Sequence, residues 1–340
     1  MKSSPRPTIA DVADKAKVSI ATVSRVLNGS APVDKATGER VRAAIEELHY
    51  LPHAAARTLA SRQTNAIGLL LPEIGGAFFQ PLVRGVEAGA GENGYHLLIH
   101  TTQMPLPENA PRRPLGEHNT DGLLIFTDSV DLRELNRLSN IGFPIVLLHQ
   151  TPPKTLSIPC VTIENRSGAR KLVEHLITCH RRRRILFLQG PEGHEDSRLR
   201  EQGYRDALKT HGLTFDCALV QRGGFEREIA RRSVEQSLFE GLEFDAIFAG
   251  DDDSAVGAFQ ALRQTGKMVP EEVAVVGFDD QVFASTLTPP LTTVRAPTEQ
   301  VGRAAINLLV RTIRGENVPA RLVLSTELVI RESCGCNHTT

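Results

Sequence analysis

The chain has 340 residues, 23% of them charged, with a net charge of −1, which leaves room for two or three domains. No apolar run approaches the roughly 20 residues of a membrane-spanning helix, and Met1-Lys2-Ser3-Ser4-Pro5-Arg6-Pro7 lacks the hydrophobic segment of a signal peptide. These features exclude an integral helical membrane protein and place the expected site of action in the cytoplasm. Charge is spread unevenly: residues 1–62 hold ten Lys/Arg against six Asp/Glu, the remainder 29 against 34. A basic head on an acidic body is the pattern of nucleic-acid binding confined to the N-terminus.

Residues 8–28 predict two short helices joined by a tight turn. Thr8 and Asp11 form a T-x-x-D start signal, after which Ile9, Val12, Ala13 and Ala16 recur at helical spacing. Ser19 is suited to cap a second helix. Val23, Val26 and Leu27 take its inner face, leaving Ile20, Ala21, Ser24 and Arg25 outside. Small and apolar side chains there suit thymine methyls, and an arginine can read guanine bidentately for roughly 1–3 kcal/mol of discrimination. A third helix with Val41, Ala44, Ile45 and Leu48 on one face completes a small bundle. A three-helix bundle without a DNA role is the bland alternative, and the small, basic outer face argues against it.

Beyond Thr64 apolar strand-like runs alternate with helical stretches. Strands are expected at 66–71, 95–100, 122–126, 144–149, 184–189, 217–222, 244–249 and 273–278. Helices are expected at 78–93, 165–180, 196–211, 226–240, 251–265 and 297–314. This alternation predicts an α/β fold with parallel sheets covered by helices on both faces. Pro105, Pro107, Pro111 and Pro114 oppose a helix within 103–119 and predict an irregular connection there.

Gly89-Ala90-Gly91-Glu92-Asn93-Gly94 fits G-x-G-x-x-G, but it ends a helix instead of opening one, so it is not read as a dinucleotide-binding turn. The sequence has no G-x-x-x-x-G-K-[ST], H-E-x-x-H or G-x-S-x-G, and no enzyme is expected. Five cysteines (Cys160, Cys179, Cys217, Cys334, Cys336) without a C-x-x-C pair predict reduced thiols. Cys334-Gly335-Cys336-Asn337-His338 could in principle hold a metal. No fourth ligand is evident from the sequence, so no metal and no cofactor are expected.

The N-terminal segment resembles the LacI/GalR family of bacterial transcription regulators, whose pattern is T-I-x-D-V-A-x-x-A-G-V-S-x-x-T-V-S-R-V-L-N, followed by Y-x-P-N and a short helix ending in leucine. Here the second part reads Tyr50-Leu51-Pro52-His53, then Ala54-Ala55-Ala56-Arg57-Thr58-Leu59-Ala60. Lys17 stands where the family has glycine, and His53 where it has asparagine. The resemblance spans essentially the whole chain. It implies a helix-turn-helix DNA-binding domain at 1–50, a hinge helix and linker at 51–63, and a two-lobed periplasmic-binding-protein-like core at 64–333. A short tail, 334–340, follows. Lobe one would take about 64–162 and 296–323, and lobe two about 163–292 and 326–332.

The same resemblance implies that Thr8, Ser19, Ile20, Ala21, Thr22, Ser24, Arg25, Asn28, His53, Ala56 and Leu59 meet DNA. Leu59 of each of two subunits would wedge into the minor groove at the operator centre. The implied effector residues are Phe78, Phe79, Arg200, Phe225, Asp251 and Asp279, with His149 and Asp196 as weaker candidates. Each has a plainer alternative: the phenylalanines as packing between helix and sheet, and Asp251-Asp252-Asp253 as anions at a helix N-terminus. The expected protein is an effector-controlled repressor acting as a homodimer on a near-palindromic double-stranded DNA operator. A sugar or sugar derivative is the first expectation for the effector, a nucleobase or other small metabolite as co-repressor the second. A sugar-handling enzyme or a solute receptor on the same fold is the remote alternative.

Overall fold

Thr8 starts the first helix by exchanging hydrogen bonds with Asp11: its backbone amide donates to Asp11 Oδ2 at 2.7 Å, and the Asp11 amide donates to Thr8 Oγ1 at 3.4 Å. Two otherwise orphaned amides are thereby satisfied. The computed structural model describes residues 7–28, 31–50, 63–102 and 115–336, and the chain divides into two units, Met1–Thr64 and Asn65–Thr340. The expected hinge residues His53, Ala56 and Leu59 and the four prolines after residue 103 lie outside the described residues.

In the first unit α1 (Ile9–Ala16) ends at Lys17, which adopts the left-handed conformation with φ 50° and ψ 51°. A lysine there costs about 1 kcal/mol relative to glycine. Ser19 Oγ then accepts from the Thr22 amide at 3.2 Å and opens α2 (Ile20–Asn28). Asp34 caps α3 (Lys35–Glu47) in the same way, accepting from the Thr37 amide at 3.2 Å. Val12, Ala13, Ala16, Val23, Val41, Ala44 and Tyr50 are buried between the three helices.

The second unit contains two parallel sheets. The larger has the order β11-β5-β4-β3-β1-β2, built from β1 (Ala66–Leu71), β2 (His96–Thr101), β3 (Gly122–Phe126), β4 (Ile145–Leu148), β5 (Cys160–Ile163) and β11 (Arg321–Leu324). The central strands β1, β3, β4 and β5 are buried along their whole length, which is why they read as unbroken apolar runs. On this sheet α4 (Phe79–Glu92) packs against α10 (Thr298–Ile313). A Cβ on Gly89 would come within 2.2 Å of Ile306, so that glycine serves helix packing and has no part in a phosphate turn. A short helix, α5 (Leu132–Asn140), not foreseen from the sequence, covers the other face through Leu135 and Leu138.

The smaller sheet has the order β7-β6-β8-β9, with β6 (Ile185–Gln189), β7 (Val220–Arg222), β8 (Ala246–Ala249) and β9 (Ala274–Val276). The pairs α6 (Asn165–His180) with α7 (Glu195–Thr210) and α8 (Arg227–Phe239) with α9 (Asp252–Gln264) pack together beside it. The strand expected over 217–222 is shortened to its last three residues. Asp216 accepts from the Ala218 amide at 3.0 Å and winds Cys217–Leu219 into a single 3-10 turn. Between the lobes β10 (Thr293–Arg295) pairs antiparallel with β12 (Glu327–Val329). The strand expected near 326–332, in lobe two, therefore joins neither sheet. It lies where the chain crosses from one lobe to the other, beside a third crossing at Glu164, whose amide donates to Leu324 O at 2.9 Å.

Candidate functional site

The carboxyl ends of the strands in both lobes face one cavity of about 740 Å³. This size suits a small molecule, and the location follows the rule that open α/β sheets bind ligands beyond their strand ends. From the first lobe come Glu73 after β1, Thr102 after β2, and Phe126, Thr127 and Asp128 at the end of β3, with Phe78 and Phe79 at the start of α4. The second lobe contributes Pro191, His194, Asp196, Arg200, Phe225, Glu226, Asp251, Asp253, Asp279 and Gln281.

Seven of the eight effector candidates named from the sequence line this cavity: Phe78, Phe79, Asp196, Arg200, Phe225, Asp251 and Asp279. His149 does not. It is fully buried behind Phe78 and Phe126, with ring centroids 5.4 and 5.3 Å away, and its Nδ1 is 2.7 Å from Asp196 Oδ2. Its place at the end of β4 suggested a cavity wall, but the aromatic pair in front covers it.

Arg200 is the centre of the polar network. Its Nε donates to Asn165 Oδ1 at 2.9 Å, Nη1 to Gly250 O at 2.6 Å and Nη2 to Asp279 Oδ1 at 3.2 Å. The guanidinium also lies 3.8 Å from the centroid of the Phe278 ring. Three of its five N–H groups are thus committed to the protein, and Nη2 also lies 4.0 Å from Asp196 Oδ2. Asp251 caps α9 by accepting from the Ser254 amide at 3.0 Å, so the plain helix-start role is fulfilled while the carboxyl still borders the cavity.

Burial raises Asp251 to about 6 and Asp279 to about 7, in the second case against the pull of Arg200. Burial would also raise Asp196, but His149 and Arg200 outweigh it and hold that carboxyl below its ordinary value. His194 is lowered, chiefly by burial, which keeps its ring neutral. His194 Nδ1 and Gln281 Oε1 are buried polar atoms on the cavity without a hydrogen-bond partner among the described residues. Neither was named from the sequence, since nothing in the local pattern marks them.

Strained backbone gathers at the same place. Asp128, His149, Phe225 and Asp279 all have positive φ, between 56° and 110°. Such conformations cost of order 1–3 kcal/mol each and persist where the surroundings over-determine them, as at ligand sites. Phe225 lies against Gly190, where an added Cβ would come within 2.3 Å of its ring.

In the first unit α2 leaves Ile20, Ala21 and Arg25 exposed, with Thr22 and Ser24 half-buried beside them. Thr8 and Ser19 are exposed at the helix starts that they cap.

A helix-turn-helix unit joined to a two-lobed α/β core with a polar cleft is the build of a ligand-sensing DNA-binding protein. The family profile for bacterial regulatory proteins, lacI family, matches residues 8–53, and that for a periplasmic binding protein-like domain matches 173–334. The chain is 38% identical over 338 residues to the HTH-type transcriptional regulator CelR of Thermobifida fusca, covering 96% of this chain and 98% of that protein. Among solved structures, a transcriptional regulator CelR–cellobiose complex is 34% identical with a TM-score of 0.71, over 96% of this chain and all of the other. The lac repressor dimer bound to operator and the anti-inducer ONPF is 26% identical with a TM-score of 0.81, over 96% and 99%. The chain belongs to the lacI family of bacterial regulatory proteins and is a transcription regulator.

Proposed function

We propose that this regulator represses transcription in the cytoplasm as a homodimer on a near-palindromic operator, and that a neutral sugar or sugar derivative in the cleft controls its grip. The observation that carries the effector reading is the make-up of the cavity wall. Among the described residues, Phe78, Phe79, Phe126 and Phe225 offer flat apolar faces, while Glu73, Asp128, Asp196, Glu226, Asp251 and Asp253 offer carboxylates, and Asp279 a carboxyl group, against one arginine. Carboxylates accept hydrogen bonds from hydroxyl groups strongly and repel anions, so the wall favours an uncharged polyol over a phosphorylated one. The bound cellobiose of the CelR complex, a relative over nearly the full chain, supports a sugar. For the head, the exposed Ile20, Ala21 and Arg25 on α2 support insertion of that helix into the major groove, with Thr8, Ser19, Thr22 and Ser24 around it; Asn28 is proposed to meet DNA as well. His53, Ala56 and Leu59 are proposed to meet DNA, Leu59 by wedging into the minor groove at the operator centre.

Effector binding would act by favouring one lobe arrangement, with coupling to DNA of roughly 1–3 kcal/mol, or 5- to 150-fold in affinity. The test is calorimetry of the full chain against neutral mono- and disaccharides, sugar phosphates and nucleobases, followed by titration of operator fragments selected from random duplex. A neutral sugar should bind saturably and change operator affinity within that range. Binding of a nucleobase or a sugar phosphate alone would overturn the sugar reading, and equal affinity for selected and random duplex would overturn the operator.

A further inference from the structure

Two histidines of α6 and two cysteines from the end of the described chain converge on one point, away from the cleft residues. His175 Nε2 lies 3.2 Å from His180 Nε2, 3.4 Å from Cys334 Sγ and 3.7 Å from Cys336 Sγ; Cys336 Sγ is 3.3 Å from His180 Nε2. All four donor atoms fall within 4.8 Å of one another. A tetrahedral zinc ion, with Zn–S of about 2.3 Å and Zn–N of about 2.0–2.1 Å, requires donors roughly 3.3–3.8 Å apart. We propose that His175, His180, Cys334 and Cys336 form a Cys2His2 site for a zinc ion.

The surroundings fit that use. Cys334 and His175 are buried, and His180 and Cys336 are half-buried, so the ion would be shielded yet reachable from one side. Two thiolates with two imidazoles in tetrahedral array select zinc over the harder divalent cations, and four protein donors close the coordination sphere. The role is therefore structural. Thr292 Oγ1 accepts from the Arg331 amide at 2.8 Å, and its hydroxyl hydrogen is shared between Arg331 O at 2.9 Å and Cys334 Sγ at 3.2 Å, so it can turn to support a thiolate. Gly335 between the cysteines has φ +108°, and a Cβ there would come 3.0 Å from His180 Nδ1. Only glycine meets both demands.

The ion would fasten the C-terminal segment to the second lobe. Ser333 already runs alongside β9, its carbonyl accepting from the Val275 amide at 2.9 Å and its hydroxyl donating to Val275 O at 2.6 Å. β12, which ends at Val329, pairs with β10 at the lobe crossing just before this segment. The zinc pins the end of one crossing strand to the helix α6 that begins at another.

The test uses the full chain without a histidine tag, purified under reducing conditions. Elemental analysis should find one zinc per chain after dialysis, and cobalt exchanged into the chelator-stripped protein should give the intense visible bands of a tetrahedral ion with thiolate-to-cobalt charge transfer. Chelator should lower the melting temperature of the wild type. Cys336→Ser and His180→Gln, both at half-exposed positions, should hold less than stoichiometric zinc and melt alike with and without chelator. Thr292→Val should weaken zinc about 10- to 100-fold. The proposal is overturned if the reduced wild type takes up no stoichiometric zinc, if cobalt gives a weak octahedral spectrum, or if both ligand variants bind zinc as the wild type does.

Discussion

His149, at the end of β4 in the first lobe, shares a 2.7 Å hydrogen bond with Asp196, at the start of α7 in the second. Both side chains are almost completely buried, and Asp196 also accepts from Asn165 Nδ2 at 2.7 Å. Beside this pair, Glu195 takes the Thr151 amide at 2.7 Å and the Thr151 hydroxyl at 2.9 Å. The two neighbouring acids at the start of α7 thus hold the first lobe on one side of the cavity. A ligand that changes the angle between the lobes must work with or against these bonds.

Asp196→Asn keeps the shape and removes the charge. Hydrogen bonds to charged groups contribute about 1.5–3 kcal/mol, and the variant should lose that much in urea unfolding near neutral pH. The sign with pH is fixed by the lowered folded pKa: the contribution of Asp196 is fully present above the unfolded value of 3.8 and is lost as pH falls through the depressed folded value. The gap between wild type and variant should therefore close under acid conditions. An unchanged unfolding midpoint at neutral pH would show that the lobe contact carries no stability.

Asp279 makes a different pH prediction. Burial raises it to about 7, above the 3.8 of an ordinary aspartate, so the folded protein carries a proton there that the unfolded chain gives up. Its share of folding stability is greatest at acid pH and declines as pH rises from 3.8 to about 7. Ligand affinity should run the opposite way if a sugar hydroxyl donates to this carboxylate, because binding then favours the ionised form. Affinity should rise with pH through about 7 and level off above it. Calorimetry in buffers of different ionisation enthalpy should detect the proton released, and Asp279→Asn should flatten the profile. A wild-type affinity flat across that window would remove Asp279 as an acceptor from the ligand.

Gly190→Ala tests the aromatic wall. The new Cβ would come 2.3 Å from the Phe225 ring, which has positive φ and little freedom to retreat. Overpacking of this kind costs about 1–3 kcal/mol, and the displaced ring should cost ligand affinity roughly tenfold or more on the same scale. Operator affinity without effector should stay at the wild-type level. Full effector affinity would mean that Phe225 does not touch the ligand.

Local chemistry was legible in the sequence where the cause is local. The Thr8–Asp11 box, the Ser19 cap and the apolar strands β1, β3 and β4 follow from residues a few positions apart. Phe78, Arg200 and Asp279 were named through resemblance, since nothing in their spacing shows that they meet across 201 residues of chain. Short elements with little period of their own, β10 and β12 at three residues each, were lost or misplaced for the same reason. The Cys334–Cys336 pair stands out in the sequence, but its partners His175 and His180 sit more than 150 residues upstream, on a helix whose pattern reads as ordinary packing. Chain reversal brings such groups together, and periodicity carries no record of it.

Arg25 offers the most direct test of the head. It is exposed on α2 beside Ala21, on the helix that Ser19 starts and whose opposite side buries Val23. If its guanidinium reads a guanine edge, Arg25→Ala should weaken a selected operator by roughly 1–3 kcal/mol while barely changing affinity for random duplex. The salt dependence should keep nearly the same slope, because a lost base contact releases no fewer counterions from phosphate. A phosphate contact behaves otherwise: selected and random duplex lose equally, and the slope falls by about one. Gel-shift titrations of both duplexes at several salt concentrations separate the two, and equal losses would move Arg25 from base recognition to the backbone.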